Sequence, residues 1–553
     1  MTQPKKREGF LYGALMLSLS GILVKIIGIF FRIPLTNMVG SAVMAHYSSA
    51  YEVYNLMLSL ATSGLPIGIS AMISKSLALG KYRDVRTLIR SVAVIFVSAG
   101  ALLTVLGMIF AMPIAEGMNS RETYSCIFNI MPAIVTMAAV SVFRGFFQGY
   151  SNMTPTAVSQ VIEQIVNAIF TVVCANIMYS YGVSLAQENG NELLGPAWGA
   201  AGGTFGTVVS ITVAMLFMMF VYTVQKSTLK RQMRRDVTTH LESERAIYRT
   251  MILTIIPIVL STLIYNISNV ADQGVFNKVL LSQGYTEKQY TSIWGIYSGQ
   301  FRVLMNVPLS LASCLAPSVV PSLTAAMARG DRGDARRKIR TSVRFTMIIT
   351  IPCAVGMAAL AKPILTMLYP SLETGRPLAV GIMQAGALLI ILYAFSTLTT
   401  GILQGLGKLQ TPLINNAAAL VIHFILLYVM LTAGNLNIYA VVWSNICFAL
   451  IVSVLNAIAI ARFLHYRQEW KRTFLIPVIV SIIMRAAAYL VYQLFHLVFG
   501  NTISVLFAIL AGVATYGIGL ISFKGITVEE IAALPKGHLI VRLLRKTGLV
   551  RGQ

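Results

Sequence analysis

The chain has 553 residues, of which 56% are hydrophobic and 11% charged, against about 25% charged in an ordinary soluble domain. So few charges cannot cover a water-exposed surface, which excludes a soluble enzyme. The net charge of +24 would suggest nucleic acid in a soluble protein, but its distribution along the chain points elsewhere.

A membrane-spanning helix takes roughly 20 apolar residues. In chain order, hydropathy predicts fourteen: 10–36, 45–74, 91–112, 124–145, 155–181, 196–225, 250–277, 290–327, 341–361, 377–404, 411–433, 437–461, 474–499 and 502–523. These stretches are too continuous for the short alternating strands of a membrane β-barrel. The expected fold class is an all-α polytopic membrane protein. The basic stretch 1–9 leads into a long apolar run without a clear cleavage motif and reads as the approach to a retained first helix. Pro34, Pro66, Pro257, Pro308 and Pro352 fall in or at the ends of spans and mark bends. The five cysteines, Cys126, Cys174, Cys314, Cys353 and Cys447, read as small buried hydrophobes.

With the N-terminus in the cytoplasm, 34 of the 43 Lys and Arg fall in cytoplasmic segments, five in outer loops and four inside spans. The carboxylates divide as ten inside, six outside and three in spans, so the cytoplasmic face carries +24 and the outer face −1. The excess charge is thereby explained by orientation and by contact with anionic membrane lipids. Both termini are expected in the cytoplasm, and no nucleic acid is required.

The chain also repeats itself. Residues 80–90 match 330–340, Ala111-Met-Pro-Ile114 matches Ala361-Lys-Pro-Ile364, and Gly145-Phe-Phe-Gln-Gly149 matches Gly401-Ile-Leu-Gln-Gly405. The last two are followed by Thr154-Pro155 and Thr411-Pro412. Six helices separate equivalent elements, an even number, so the halves share one orientation, as in transporters built from parallel repeats. The expected organisation is an N-lobe of six helices over 1–225, a cytoplasmic linker over 226–249, a C-lobe of six helices over 250–463, helices 13 and 14 over 464–525, and a basic cytoplasmic tail over 526–553.

Seven ionisable residues fall within spans: Lys25, Arg32, Glu52, Glu163, Asp272, Arg302 and Arg485. Each costs a few kcal/mol against lipid and should face a cavity or a partner. Lys25, Gly28 and Arg32 recur at i, i+3 and i+7 and share one face of helix 1. Arg302 lies on helix 8, the repeat-mate of helix 2, and brings a cation from the other lobe. A cavity so lined suits phosphate or pyrophosphate, because guanidinium forks bind phosphate oxygens in pairs. For Arg32, snorkelling to the outer interface is the competing reading. Glu52 reads as a counter-ion to Lys25 or Arg32. Glu163, with Gln160, Gln164 and Asn167 nearby, reads equally as an interhelical polar contact. Arg485, alone in helix 13, answers either a second acidic or phosphate group or the cytoplasmic interface.

Helix 7 carries Asn266, Asn269, Asp272, Gln273 and Asn277. An acid among amides can hold a cation through oxygen ligands, with Asn415 and Asn416 of helix 11 as further donors; the alternative is a hydrogen-bonded interhelical network. There is no phosphate-loop motif, the six histidines have no metal-ligand spacing, and no catalytic constellation is legible. The expectation is a non-enzymatic protein without a cofactor, coupled to Na+, protons or membrane potential.

The spans, the two matched lobes, the Gly-x-x-Gln-Gly turns and the stretch Gly21-Ile-Leu-Val-Lys-Ile-Ile-Gly-Ile-Phe-Phe-Arg-Ile-Pro-Leu35 resemble the oligosaccharidyl-lipid exporters of the MOP superfamily. Within it, the likeness is to SpoVB/YtgP/MurJ-type lipid II flippases of Gram-positive bacteria. The resemblance implies alternating-access transport of an undecaprenyl-pyrophosphate-linked peptidoglycan precursor to the outer leaflet of the bacterial cell membrane, by a monomer serving cell-wall biogenesis, cell shape or sporulation. It implies that Lys25, Arg32 and Arg302 stand for cavity cations of helices 1 and 8, that Asp272 stands for the acid of a helix-7 cation site, and that helices 13 and 14 form a lipid-tail groove. Other readings are a flippase for another polyprenyl-linked polysaccharide intermediate, a multidrug or cation antiporter of the same superfamily, and a scaffold that meets cell-wall synthesis proteins through loops 226–249 and 328–344.

Overall fold

The computed structural model describes residues 4–62, 65–78, 82–150, 152–233, 263, 266–313, 319–320, 323, 326–327, 329–408 and 410–526. Among them all regular structure is helical. Ten helices are long and apolar enough to cross a membrane, from Thr87–Ile109 to Asn501–Ser522. They coincide with expected spans 3–6 and 9–14. Spans 1, 2, 7 and 8 fall on segments that are broken or partly outside the described residues. The chain is an all-α polytopic membrane protein.

It divides into two compact units, Met1–Val303 with Tyr428–Ile438, and Leu304–Leu427 with Tyr439–Gln553. In the first unit, α1 (Pro4–Thr62) is two helices joined at Gly40, whose φ of +84° a side chain would resist. The joint falls in the loop expected between spans 1 and 2. Then follow α2 (Leu65–Ala78), α3 (Tyr82–Ile109), α4 (Ala111–Gly117), α5 (Tyr124–Ile130), α6 (Pro132–Gly149), α7 (Thr154–Asn189), α8 (Leu194–Met233), α9 (266–282) and α10 (Glu287–Gly295). Helix α7 opens with Pro155 in its first turn, where the missing N–H costs nothing, and ends at Gly190 with φ +68°.

Helix α7 is apolar on the outside and polar within. Ile165, Ile169, Val173 and Ile177, four residues apart, are all exposed. Asn167 and Thr171 are buried, and the Asn167 amide oxygen accepts hydrogen bonds from Thr171 Oγ1 at 2.9 Å and from Thr207 Oγ1 of α8 at 3.2 Å. A soluble helix would present the opposite faces; this one suits a lipid surround.

The second unit holds most of α11 (Arg302–Ser313), then α12 (Arg332–Ala359), α13 (Ala361–Leu368), α14 (Arg376–Gly405), α15 (Gln410–Thr432), α16 (Ile438–Leu464), α17 (Ile476–His496) and α18 (Asn501–Ser522). Asp331 caps α12 by accepting from the Asp334 N–H at 2.8 Å. Helix α18 is tied to α12 by Tyr516 Oη donating to the Ile348 carbonyl at 2.9 Å. Between α17, α18, α12 and α11 lies an apolar chamber of about 560 Å3, lined among others by Pro308, Pro352, Met484, Gly512 and Tyr516.

Candidate functional site

Between α10 and α11 the helix widens into a π-turn over Ile296–Phe301, an arrangement often found at functional sites. Gly295 and Gly299 bring it against the second half of α1. A methyl group at Gly295 would overlap the Ser41 carbonyl, and one at Gly299 would lie 2.8 Å from Met44 Cβ. Trp294, Tyr297 and Phe301 pack in series, ring tilted against ring, behind this contact, with Phe276 of α9 against Trp294.

The residue that follows the π-turn is Arg302. Its Nη2 lies 2.8 Å from Glu52 Oε1 of α1, and the two side chains are 21% and 15% exposed. Glu52, expected to serve Lys25 or Arg32, thus pairs with Arg302. The adjacent Tyr51 lies under Arg32, whose guanidinium carbon is 5.7 Å from the ring centroid. Two neighbouring residues of α1 therefore engage two of the expected cavity cations, one through charge and one through a ring face. Lys25 lies on α1, with its side chain outside the described residues. Arg485 is exposed on α17.

Asp272 is buried on α9 at 3% exposure, and Asn269, three residues earlier, stands on the same helix face. Asn416 is buried in the second unit. Beside it, Asn415 Nδ2 donates to Asn456 Oδ1 at 2.9 Å, and Asn456 Nδ2 in turn donates to Thr400 Oγ1 at 3.1 Å, a hydrogen-bonded network of the kind weighed against a cation site. Among the described residues no three His, Cys, Asp or Glu side chains gather as metal ligands.

One ion pair was not legible as such. Arg144, which the orientation argument counts with the cytoplasmic charges, is buried and meets Glu163 Oε2 at 2.7 Å, while its Nε donates to Ser159 Oγ at 3.1 Å. The available signal was an acid in span 5 needing a partner and an arginine at the end of span 4.

At the opposite ends of the helices, Asn277 Nδ2 donates to the Met118 carbonyl and Tyr290 Oη to the Asn119 carbonyl, both at 2.7 Å. Lys288 pairs with Glu192 on the exposed rim and holds its carboxyl below the usual carboxylate range. Together with the Gly295 contact, these bonds seal α9 and α10 against α1, the turn after α4 and the loop between α7 and α8, at the ends that charge distribution assigns to the outer face.

Residues 10–327 match the model of the polysaccharide biosynthesis protein family, and 257–429 match that of the MatE family. Two relatives come from Bacillus subtilis (strain 168). The chain is 25% identical over 427 residues to the lipid II flippase MurJ, covering 75% of this chain and 76% of the relative. It is 24% identical over 543 residues to stage V sporulation protein B, covering 97% and 100%. Among solved structures, lipid II flippase MurJ in an inward closed conformation superposes with a TM-score of 0.63 at 14% identity, covering 91% of this chain and 98% of that one. An inward-facing multidrug resistance MATE family transporter of the MOP superfamily gives 0.60 at 17%, covering 81% and 98%. The family match spans more than half of the residues, and the fold is shared with transporters of the MOP superfamily: the chain belongs to the polysaccharide biosynthesis protein family.

Proposed function

We propose that the protein is a flippase that carries a polyprenyl-pyrophosphate-linked glycan lipid, lipid II in the first instance, from the cytoplasmic to the outer leaflet of the bacterial cell membrane by alternating access. The observation that carries this reading is the Arg302–Glu52 pair beside the π-turn. A lone arginine at that depth would be costly, and Glu52 neutralises it in the substrate-free protein. A pyrophosphate offers the guanidinium two oxygens at once and a larger charge, and so competes with the single carboxylate contact. Lys25 and Arg32 supply further cations from α1. A ligand moves a two-state equilibrium only through unequal affinity for the two states; here exchange of Glu52 for pyrophosphate supplies the inequality next to the glycine contact that seals the outer side.

The polyprenyl tail takes the apolar chamber between α17, α18 and α12, and Arg485, next to the lining residue Met484, meets the phosphate end. Asp272 with Asn269 makes a weak site for a monovalent cation, and Na+, proton or potential coupling biases the cycle there. The names of the relatives, a lipid II flippase and a sporulation protein, support a role in peptidoglycan formation. The protein acts as a monomer and meets cell-wall synthesis proteins through its basic loops.

Depletion of the protein followed by analysis of lipid-linked precursors tests the substrate: lipid II accumulates in the inner leaflet. Accumulation of a teichoic-acid or capsule lipid intermediate in its place redirects the reading to that polymer. The MatE match over 257–429 favours a second reading, a cationic-drug antiporter; drug sensitivity on depletion with normal precursor levels selects it.

A further inference from the structure

A second chamber, of about 480 Å3, lies in the second unit between α12, α14, α16 and the elbow that joins α16 to α17. Its volume falls in the roughly 300–1,000 Å3 range of ligand sites. It is separate in residues from the chamber between α17 and α18. Its walls are Ile339, Val343, Phe395, Ile460 and Phe474 and, on α16, Leu450, Val454 and Ile458, which are all exposed. The last three stand on the lipid-facing side, so the chamber opens sideways towards the bilayer. It sits at the end of the helices that charge distribution assigns to the cytoplasm, and Trp470, 68% exposed, stands at its rim as interfacial tryptophans do.

The floor of the chamber is the elbow, and three arginines of α12 grip it. Arg336, Arg340 and Arg344 recur every four residues and share a helix face. Arg336 Nε donates to the Leu464 carbonyl at 2.7 Å, Arg340 hydrogen-bonds the Tyr466 hydroxyl, and Arg344 lies 3.9 Å from Glu469. Burial pushes the Tyr466 phenol up to about 12, so it keeps its proton and donates it to Gln468 Oε1 at 2.9 Å. That fixes the amide with Nε2 turned away, and Gln468 Nε2 is buried without a hydrogen-bond partner. Glu469 Oε2 and Thr473 Oγ1, on the same elbow, are buried without hydrogen-bond partners as well. Orphaned buried polar atoms are uncommon in native folds, and three of them on one elbow beside a chamber offer a bound polar group its hydrogen bonds. Arg467, Lys471 and Arg472 are exposed around this point, and Arg472 Nε stands 3.9 Å from Glu469 Oε1, beyond hydrogen-bond reach.

We infer that this chamber is a regulatory site for an anionic glycerophospholipid of the cytoplasmic leaflet, of the phosphatidylglycerol class. An acyl chain enters through the gap lined by Leu450, Val454 and Ile458. The phosphate meets Arg472 and Lys471, and the headgroup hydroxyls donate to Glu469 Oε2 and accept from Gln468 Nε2. A choline headgroup carries no hydroxyl for Glu469 and brings a cation to a basic rim, so it fits poorly. The site stands apart from the substrate path and does not depend on which lipid is flipped. Its occupancy would link the α16–α17 elbow to the anionic content of the membrane.

The test uses the full chain in detergent, titrated with phosphatidylglycerol or phosphatidylcholine and read by native mass spectrometry and thermal unfolding. Phosphatidylglycerol binds and raises the unfolding temperature, phosphatidylcholine does so at least about tenfold more weakly, and soluble glycerol 3-phosphate does neither. Gln468→Leu weakens phosphatidylglycerol binding several-fold to about tenfold, as loss of one hydrogen bond to a phospholipid headgroup does, and shrinks the lipid-induced rise in unfolding temperature, read from the variant's own lipid-free value, which drops because the Tyr466 hydroxyl loses its acceptor. Ala457→Phe fills the chamber and removes the bound lipid. Equal binding of the two phospholipids, binding of glycerol 3-phosphate alone, or undiminished phosphatidylglycerol binding in both variants overturns the proposal.

Discussion

Arg302 and Glu52 were each legible in the sequence as charges in the wrong solvent, but their pairing was not, because a residue's depth in a span says nothing about which neighbouring helix it meets. The pairing yields a sharper expectation than either charge alone. Arg302→Ala should abolish precursor export at normal expression, and Arg302→Lys should restore it only in part, because an ammonium is a point charge without a fork. Glu52→Gln removes the competitor for Arg302, so substrate should bind tighter by about tenfold to hundredfold, one charged hydrogen bond's worth, and release more slowly. Binding to purified protein and single-turnover flipping in vesicles separate the two effects; weaker binding in Glu52→Gln would mean that the carboxylate contacts substrate directly. Arg144 and Glu163 call for a different outcome. Their side chains are 11% and 21% exposed, and removing one partner of such a pair costs about 3–5 kcal/mol. Arg144→Met and Glu163→Leu should each lower the unfolding temperature sharply, and the double variant should recover much of the loss. Additive losses would show that Arg144 is held by Ser159 and not by the carboxylate.

Elements were the most legible level, for a physical reason: a span is a 20-residue average of hydropathy, and averages survive local irregularity. Expected 377–404 and 411–433 became Arg376–Gly405 and Gln410–Thr432. Helix α7 overran its expected end at 181 and continued to Asn189, because nothing before Gly190 breaks a helix and hydropathy marks where lipid ends, not where hydrogen bonding does. The π-turn at Ile296–Phe301 left no trace in the pattern, since an i→i+5 bond has no side-chain signature. The repeat shows where symmetry stops. Arg144 and Thr400 each precede the matched Gly-x-x-Gln-Gly turn, and both reach across to a neighbouring helix, Arg144 to a carboxylate and Thr400 to an amide. The two halves therefore share a joint and differ in its charge. The glycine contact of α10 can be tested at this level. In an isolated helix Gly→Ala is favourable by about 1 kcal/mol, whereas at Gly295 the added methyl meets the Ser41 carbonyl. Gly295→Ala should hold the outer seam apart, expose an introduced Ser298→Cys to thiol reagents and slow export. Unchanged protection with unchanged export would show that the seam tolerates a gap and that sealing depends on the Asn277 and Tyr290 bonds.

For the whole molecule, orientation is the property that neither helix packing nor fold likeness supplies, because a helical bundle is equally well packed either way up. It rests on the partition of basic residues, 34 against five, and the structure alters that argument at Arg144. Arg144 is consumed by Glu163 and does not act as a loop charge. Removing it leaves the bias intact, because the clusters that carry it, such as Arg332, Arg336, Arg337, Lys338 and Arg340, lie at the α12 start, within reach of the headgroup layer where basic residues set topology. The ends named as outer show the complementary chemistry: Lys288 is matched by Glu192, and Arg121 lies 3.8 Å from Glu116. Two single cysteines put this to the test in intact cells. Gln187→Cys, near the end of α7, should react with a membrane-impermeant maleimide, and Thr238→Cys, in the linker outside the described residues, should react only after the cells are opened. The reverse pattern would place the Arg302–Glu52 pair and both chambers the other way up, and a carrier loading pyrophosphate from the cytoplasm would then have its sealed seam on the loading side.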